Sequence, residues 1–147
     1  MSVEGPASDR VTTSVSVAST PAGIRAAHAW LEGLRRTCAA SEAVWDAITL
    51  CLEESLMNVV NHGNREGHGL EIDLTFRKEG ERFWIEIIDS GAAFNPLIAE
   101  PREAETLDAV VPGGQGIKLI RSFTTSCAYS RVGNRNHLSL GFTAGAR

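Results

Sequence analysis

Glu54 and Asn58 stand four residues apart in the stretch Cys51 to Asn64, CLEESLMNVVNHGN, with Asn61 and His62 one turn further on. On a helix this spacing sets a carboxylate, an amide and another polar group along one side. Taken alone, Glu-x-x-x-Asn describes a solvated helix face more readily than a site. Two glycine-bearing segments downstream change the weighing. Asp89-Ser-Gly91-Ala-Ala93-Phe94 closes a strand-like run, and Pro112-Gly113-Gly114-Gln115-Gly116-Ile117 enters a helical pattern. Glycines ahead of a helix leave backbone N–H groups free to hold phosphate at the positive end of the helix dipole, although they also serve as plain turns. An aspartate at a strand end is more often a turn former than a ligand reader.

The elements that must carry these residues follow from periodicity. Val11, Thr13, Val15 and Val17 alternate with polar residues as a strand does. Ser19-Thr20-Pro21 then supplies a cap and a proline at the first helical position, and Ile24, Ala27, Leu31 and Leu34 give a helix to about Thr37 its apolar stripe. Ser41 caps a second helix, Ile48, Leu52, Leu56, Val59 and Val60 form its buried stripe, and Gly63 closes it. The polar set at 54, 58, 61 and 62 is expected on the opposite face. Leu70 to Phe76 and Phe83 to Ile87 alternate around a turn at Lys78-Glu79-Gly80, which predicts an antiparallel hairpin. Residues 97–112 have weak periodicity and predict a mobile loop. A short helix follows with Ile117, Leu119, Ile120 and Phe123. The end reads as a second hairpin, Ala128–Val132 and His137–Thr143 about a Gly-Asn-Arg-Asn turn. Helices on one face of a mixed, mainly antiparallel sheet, an α+β two-layer sandwich, is the expected fold.

A chain of 147 residues has the length of one domain, able to bury about 70% of its unfolded surface. We read a flexible lead-in over residues 1–10 and a single domain over 11–147. A 43% hydrophobic and 22% charged composition is that of an ordinary globular protein. A net charge of -4 without a basic run gives no footprint for direct contact with nucleic acid. Cys38, Cys51 and Cys127 are too widely spaced for a zinc ribbon and too few for a disulfide framework, which suggests a reducing compartment. With no signal-like apolar core at the N-terminus and no stretch long enough to span a membrane, a cytoplasmic location is expected.

In order and spacing the three motifs resemble the GHKL ATP-binding fold of gyrase, Hsp90, histidine kinases and MutL, and within it the bacterial anti-sigma-factor serine/threonine kinases. Glu54 to Gly63 is similar to that family's N box, Asp89 to Phe94 to its first glycine box and Gly113 to Ile117 to its second. The resemblance implies that Glu54 is the catalytic base and that Asn58 binds Mg²⁺ bridging the phosphates of ATP. It further implies that Asp89 accepts the adenine amino hydrogen, that Gly91 lets the backbone turn beneath the ring, and that Gly113, Gly114 and Gly116 offer N–H groups to phosphate. Asn61, His62, Ala93, Phe94, Gln115 and Ile117 complete the implied nucleotide-binding set. Residues 97–112 would be the ATP lid. An antagonist protein of the anti-anti-sigma, STAS type would be the phosphorylated partner, a sigma factor a second client, and the kinase a homodimer.

Two residues depart from the family pattern: Ala93 stands where a second glycine is common, and Gln115 is inserted between glycines. Glu53, about 100° around the helix from Glu54, is given a surface role. His28, His62, His68 and His137 lack metal-ligand spacing, and His62 either packs or hydrogen-bonds near the helix end. Trp30, Trp45 and Trp84 are read as core or interface residues. The alternative function is a nucleotide-binding regulator that sequesters a partner without phosphotransfer. A detached histidine-kinase catalytic domain ranks last, because one helix around His28 is too little for a helical-hairpin dimer.

Overall fold

The computed structural model describes residues 10–63, 70–98 and 116–144. Residues 1–9, 64–69, 99–115 and 145–147 lie outside the described residues, and with them most of the expected lead-in over 1–10, most of the expected lid over 97–112, and Gly113, Gly114 and Gln115.

Five described strands form one sheet: β1 (Arg10–Ala18), β2 (Glu71–Glu79), β3 (Arg82–Asp89), β4 (Ser126–Val132) and β5 (Arg135–Thr143). Their order is β1-β2-β3-β5-β4, and every neighbouring pair is antiparallel. No described strand is parallel to its neighbour, so the expected mixed character is corrected to a purely antiparallel sheet. The α+β sandwich itself stands. Three α-helices are described: α1 (Pro21–Thr37), α2 (Glu42–Asn58) and α3 (Gly116–Phe123).

Local chemistry sets the ends of these elements. The Thr20 side chain accepts from Gly23 N at 3.0 Å with Pro21 at the first helical position, and Ser41 accepts from Val44 N at 3.2 Å. Gly23 has a packing reason, since a Cβ there would stand 1.6 Å from the Ala18 carbonyl oxygen. Two-residue turns at Gly80-Glu81 and Gly133-Asn134 join the hairpins, and each glycine takes a positive φ, +62° and +61°. Both turns are shorter than the sequence suggested. The second hairpin therefore resumes earlier, at Arg135, which brings Asn136 into a strand, and its first strand also begins earlier, at Ser126.

The core lies between the helices and one face of the sheet. Ile72, Leu74 and Phe76 of β2 point into it with Phe83, Ile85 and Ile87 of β3 and Leu138, Leu140 and Phe142 of β5. Trp45 of α2 stacks on Phe76 with ring centroids 5.7 Å apart and meets Phe83 edge-on at 6.2 Å. Truncating a buried aromatic such as Phe76 to alanine costs about 3–5 kcal/mol, so this triad is a main anchor of α2 on the sheet. Trp84, by contrast, sits on the open face beneath the Arg77 guanidinium, 4.4 Å from its ring centroid.

Candidate functional site

Asp89 is the last residue of β3 and continues its inward alternation: Phe83, Ile85, Ile87, Asp89. A carboxylate therefore stands where the pattern calls for an apolar side chain, and it is only 4% exposed. Gly91 N donates to its Oδ1 at 2.8 Å, and Asn136 Nδ2 donates to the same oxygen at 3.0 Å. Both bonds fall on Oδ1, which leaves Oδ2 for a ligand.

Asn136 is the functional residue that the sequence reading passed over. It lies directly opposite Asp89 in the β3–β5 register, on the same face, and is 6% exposed. Its Nδ2 also donates to the Ala92 carbonyl at 3.0 Å, while Oδ1 accepts from Phe94 N at 3.4 Å, Arg131 Nη1 at 3.1 Å and the Tyr129 hydroxyl. Two acceptors on one side and three donors on the other dictate the orientation of the amide. Arg131 Nη1 adds a bond to the Gly91 carbonyl at 2.8 Å. Beyond Asp89, which still pairs with Asn136 in the ladder, the segment to Phe94 is thus tied to β5 and β4 by side chains. A signal was present in the sequence: Asn136, Leu138, Leu140 and Phe142 share period two, with a polar residue at the first inward position.

From the helix side, α2 brings Ser55 and Asn58 to the same place, 1% and 5% exposed. This corrects the expectation of a polar face opposite the apolar stripe, because Cys51, Ser55 and Asn58 are buried on the margin of that stripe. The α-helix ends at Asn58 and runs on as a π-helical turn, Val59–Gly63. Such a turn widens the spacing and is frequent at functional sites. His62 stacks on Phe94 with centroids 4.2 Å apart and ring planes 10° from parallel, whereas Asn61 is exposed. The packing role expected of His62 is therefore met, and Asn61 does not reach the cleft.

These pieces enclose a narrow cleft with about 20 Å³ open to water, walled by Ser55, Asn58, His62, Asp89, Phe94 and Asn136 among others. Ala93 is exposed and outside its wall. Gly116, the last glycine of the second segment, opens α3. Glu54, half-buried, is next to Ser55 in the chain but outside the cleft wall, and its Oε1 is buried without a partner among the described residues. Burial, reinforced by the charge of Glu53, holds the Glu54 carboxyl above the usual carboxylate range. Glu53 itself faces α1, its carboxylate 3.7 Å from His28 Nε2, in keeping with a surface role. Burial foremost, then Glu54 and Cys127, pushes the Cys51 thiol up to about 12, so it stays protonated and inert. The described cysteines are free.

A buried carboxylate with one uncommitted oxygen, a glycine turn beneath it and a raised glutamate one helix turn from a buried amide make a coherent set. Residues 17–142 match the histidine kinase-like ATPase domain. The chain belongs to that family. A serine/threonine-protein kinase of Bordetella bronchiseptica, BtrW, is 38% identical over 112 residues, 76% of this chain and 79% of the relative. That similarity bears out the resemblance to the anti-sigma-factor serine/threonine kinase branch of the family. The RsbU and RsbW domains of a Mycobacterium tuberculosis protein share the fold, with a TM-score of 0.62 and 12% identity over 91% of this chain. This chain spans about a third of that structure, 32% of its length. A blue-light activated histidine kinase domain of Erythrobacter litoralis overlaps 69% of this chain and 45% of its own at a TM-score of 0.51 and 17% identity. No described helix is long and apolar enough to cross a membrane.

Proposed function

We propose that this histidine kinase-like ATPase domain is an ATP-dependent protein kinase that phosphorylates a serine or threonine of an antagonist protein of the anti-anti-sigma, STAS type. Freed by that reaction, it would hold a second client such as a sigma factor. The observation that carries the reading is the pairing on α2 of a carboxyl held up by burial, Glu54, with a buried amide four residues on, Asn58, beside the uncommitted oxygen of Asp89.

Each group has a part suited to its surroundings. Asp89 Oδ2 accepts a hydrogen from the adenine 6-amino group while Oδ1 stays bonded to Gly91 and Asn136. Asn58, whose Nδ2 is buried without a partner among the described residues, would hold Mg²⁺ through its amide oxygen. One such ligand fits this ion, which takes most of its octahedral shell from water and phosphate oxygens. Bound there, Mg²⁺ supplies charge neutralisation at the transferring phosphate. Glu54 accepts the proton of the attacking hydroxyl as its oxygen bonds to the γ-phosphorus, and the bond to the bridging oxygen breaks with its electron pair going to ADP. A carboxyl raised toward neutrality is the better base for that transfer. The second glycine segment, Gly113, Gly114 and Gly116, would contribute backbone N–H groups to the phosphates.

The test is transfer of label from γ-labelled ATP to a candidate antagonist encoded near this protein. Labelled serine or threonine on the antagonist, dependent on Mg²⁺, is the expected result. Tight ATP binding with no transfer to any candidate would instead support a nucleotide-binding regulator.

A further inference from the structure

Ser55 has no task in the reading above. It lies on α2 between Glu54 and Asn58, is 1% exposed, and forms part of the cleft wall with Asp89, Ile87 and Leu138. Its Oγ has no hydrogen-bond partner among the described residues. A hydroxyl inside a helix commonly bonds back to the carbonyl four residues earlier, as Thr49 does to the Trp45 carbonyl at 2.7 Å on this same helix. Ser55 does not. A buried hydroxyl without a partner is costly, and one facing a cleft is open to a partner delivered by a ligand.

We infer that Ser55 is a base-reading residue of the nucleotide pocket, donating its hydroxyl hydrogen to N1 of the adenine whose 6-amino group Asp89 accepts. The inference rests on the ATP reading and adds to it a contact that the motifs do not carry. Along α2 and the π turn Ser55 is 1% exposed, Asn58 5% and His62 half-buried, so on this reading the base enters with its sugar toward His62 and its far edge toward Ser55. A nucleotide base is attached to its sugar at N9, which must face the opening. The edge that reaches the floor is then the opposite one, where N1 lies next to the 6-amino group. Asp89 supplies the acceptor that the amino group needs, and N1, an acceptor, needs a donor beside it.

The neighbouring groups do not provide that donor. Ile87 and Leu138 are apolar. The Asn136 amide hydrogens go to Asp89 and to the Ala92 carbonyl, and the Tyr129 hydroxyl donates to Asn136. Asn58 Nδ2, also uncommitted, sits one turn nearer the mouth. His62, two turns further along, is stacked on Phe94, and the Ser55 hydroxyl, uncommitted in the cleft wall, can rotate to suit.

Calorimetric titration of wild type and Ser55→Ala with ATP, 1-deaza-ATP and 7-deaza-ATP tests this, together with thermal unfolding of both proteins without nucleotide. Wild type should bind ATP about tenfold more tightly than 1-deaza-ATP, the effect of one hydrogen bond. Ser55→Ala should bind the two alike, at the affinity wild type has for 1-deaza-ATP, and the 7-deaza analogue should follow ATP in both proteins. Alanine favours the helix and removes an unpaired hydroxyl, so the nucleotide-free variant should unfold no lower than wild type, whereas a purely structural serine would lower it. A wild type indifferent to the N1 deletion, or a variant that keeps the preference, overturns the Ser55 contact while the ATP reading survives. A wild type that binds none of the three nucleotides overturns both.

Discussion

Glu54→Gln should separate stability from chemistry. The native carboxyl titrates above the usual carboxylate range because it is buried and lies beside Glu53, while in the unfolded chain it titrates at its ordinary value. As pH rises through that range the unfolded state ionises first and is favoured, so native Glu54 costs stability at neutral pH and nothing at low pH. Glutamine removes this cost: the variant should melt above wild type near pH 7 and level with it at pH 3–4, read by unfolding scans across pH. Phosphotransfer should fall by about 10²–10⁴ with ATP affinity kept. A variant that transfers phosphate at the wild-type rate would exclude Glu54 as the base. For Asp89→Asn the bonding pattern sets the outcome. The remaining oxygen can still accept from Gly91 and Asn136, so the fold should hold, but an NH₂ then replaces Oδ2 and, on the proposed reading, opposes the adenine amino group. Losing the charge-assisted bond should weaken ATP by about 1.5–3 kcal/mol, measured by calorimetry. Undiminished affinity in a folded variant would end the base-recognition role.

The elements decide how well those residues are held. Asn136→Ala removes five bonds that tie β3, β4 and β5 to the Asp89–Phe94 segment. It should lower stability by about 1–3 kcal/mol and also weaken ATP, because Asp89 loses the partner that orients it. Leu140→Val should cost comparable stability without altering affinity for ATP beyond experimental error, and equal effects of both variants on ATP would remove the positioning role of Asn136. Much of this architecture was legible beforehand. Strand alternation and helix caps placed β1, α1, α2 and the first hairpin nearly to the residue, because period two and Ser/Thr caps are local signals. Asn136 was missed for an equally physical reason: a two-residue turn at Gly133 was read as a four-residue one, which kept the asparagine out of the strand where its inward position would have shown. The burial of Ser55 and Asn58 was hidden because helical periodicity gives the direction of a face and not how far a sheet wraps around it. The π turn has no local signature of the kind that a cap or a turn glycine provides.

At the scale of the whole molecule, the open face of the sheet and the cleft do different work. Arg77 over Trp84 and the Asp73–Arg135 pair, 2.7 Å apart, finish one face with satisfied polar groups, while the ionisable and uncommitted groups Glu54, Ser55, Asn58 and Asp89 gather on the helix side. On the proposed reading, an antagonist must therefore present its hydroxyl at the helix-side cleft, next to Glu54 and the nucleotide phosphates. Phosphorylation then adds about -1.5 to -2 charges beside a glutamate and a polyphosphate in a partly desolvated groove. Repulsion there should release the product, and a chain with formal net charge -4 adds to it at longer range. An antagonist carrying aspartate or glutamate at its acceptor serine should bind at least tenfold more weakly than the unmodified protein when titrated in the presence of ADP. The difference should shrink as salt is raised, since a partly exposed charge pair is screened over about 10 Å at 0.1 M ionic strength. Equal affinity for the two antagonists at low salt would refute release by charge and leave sequestration without phosphotransfer as the better account.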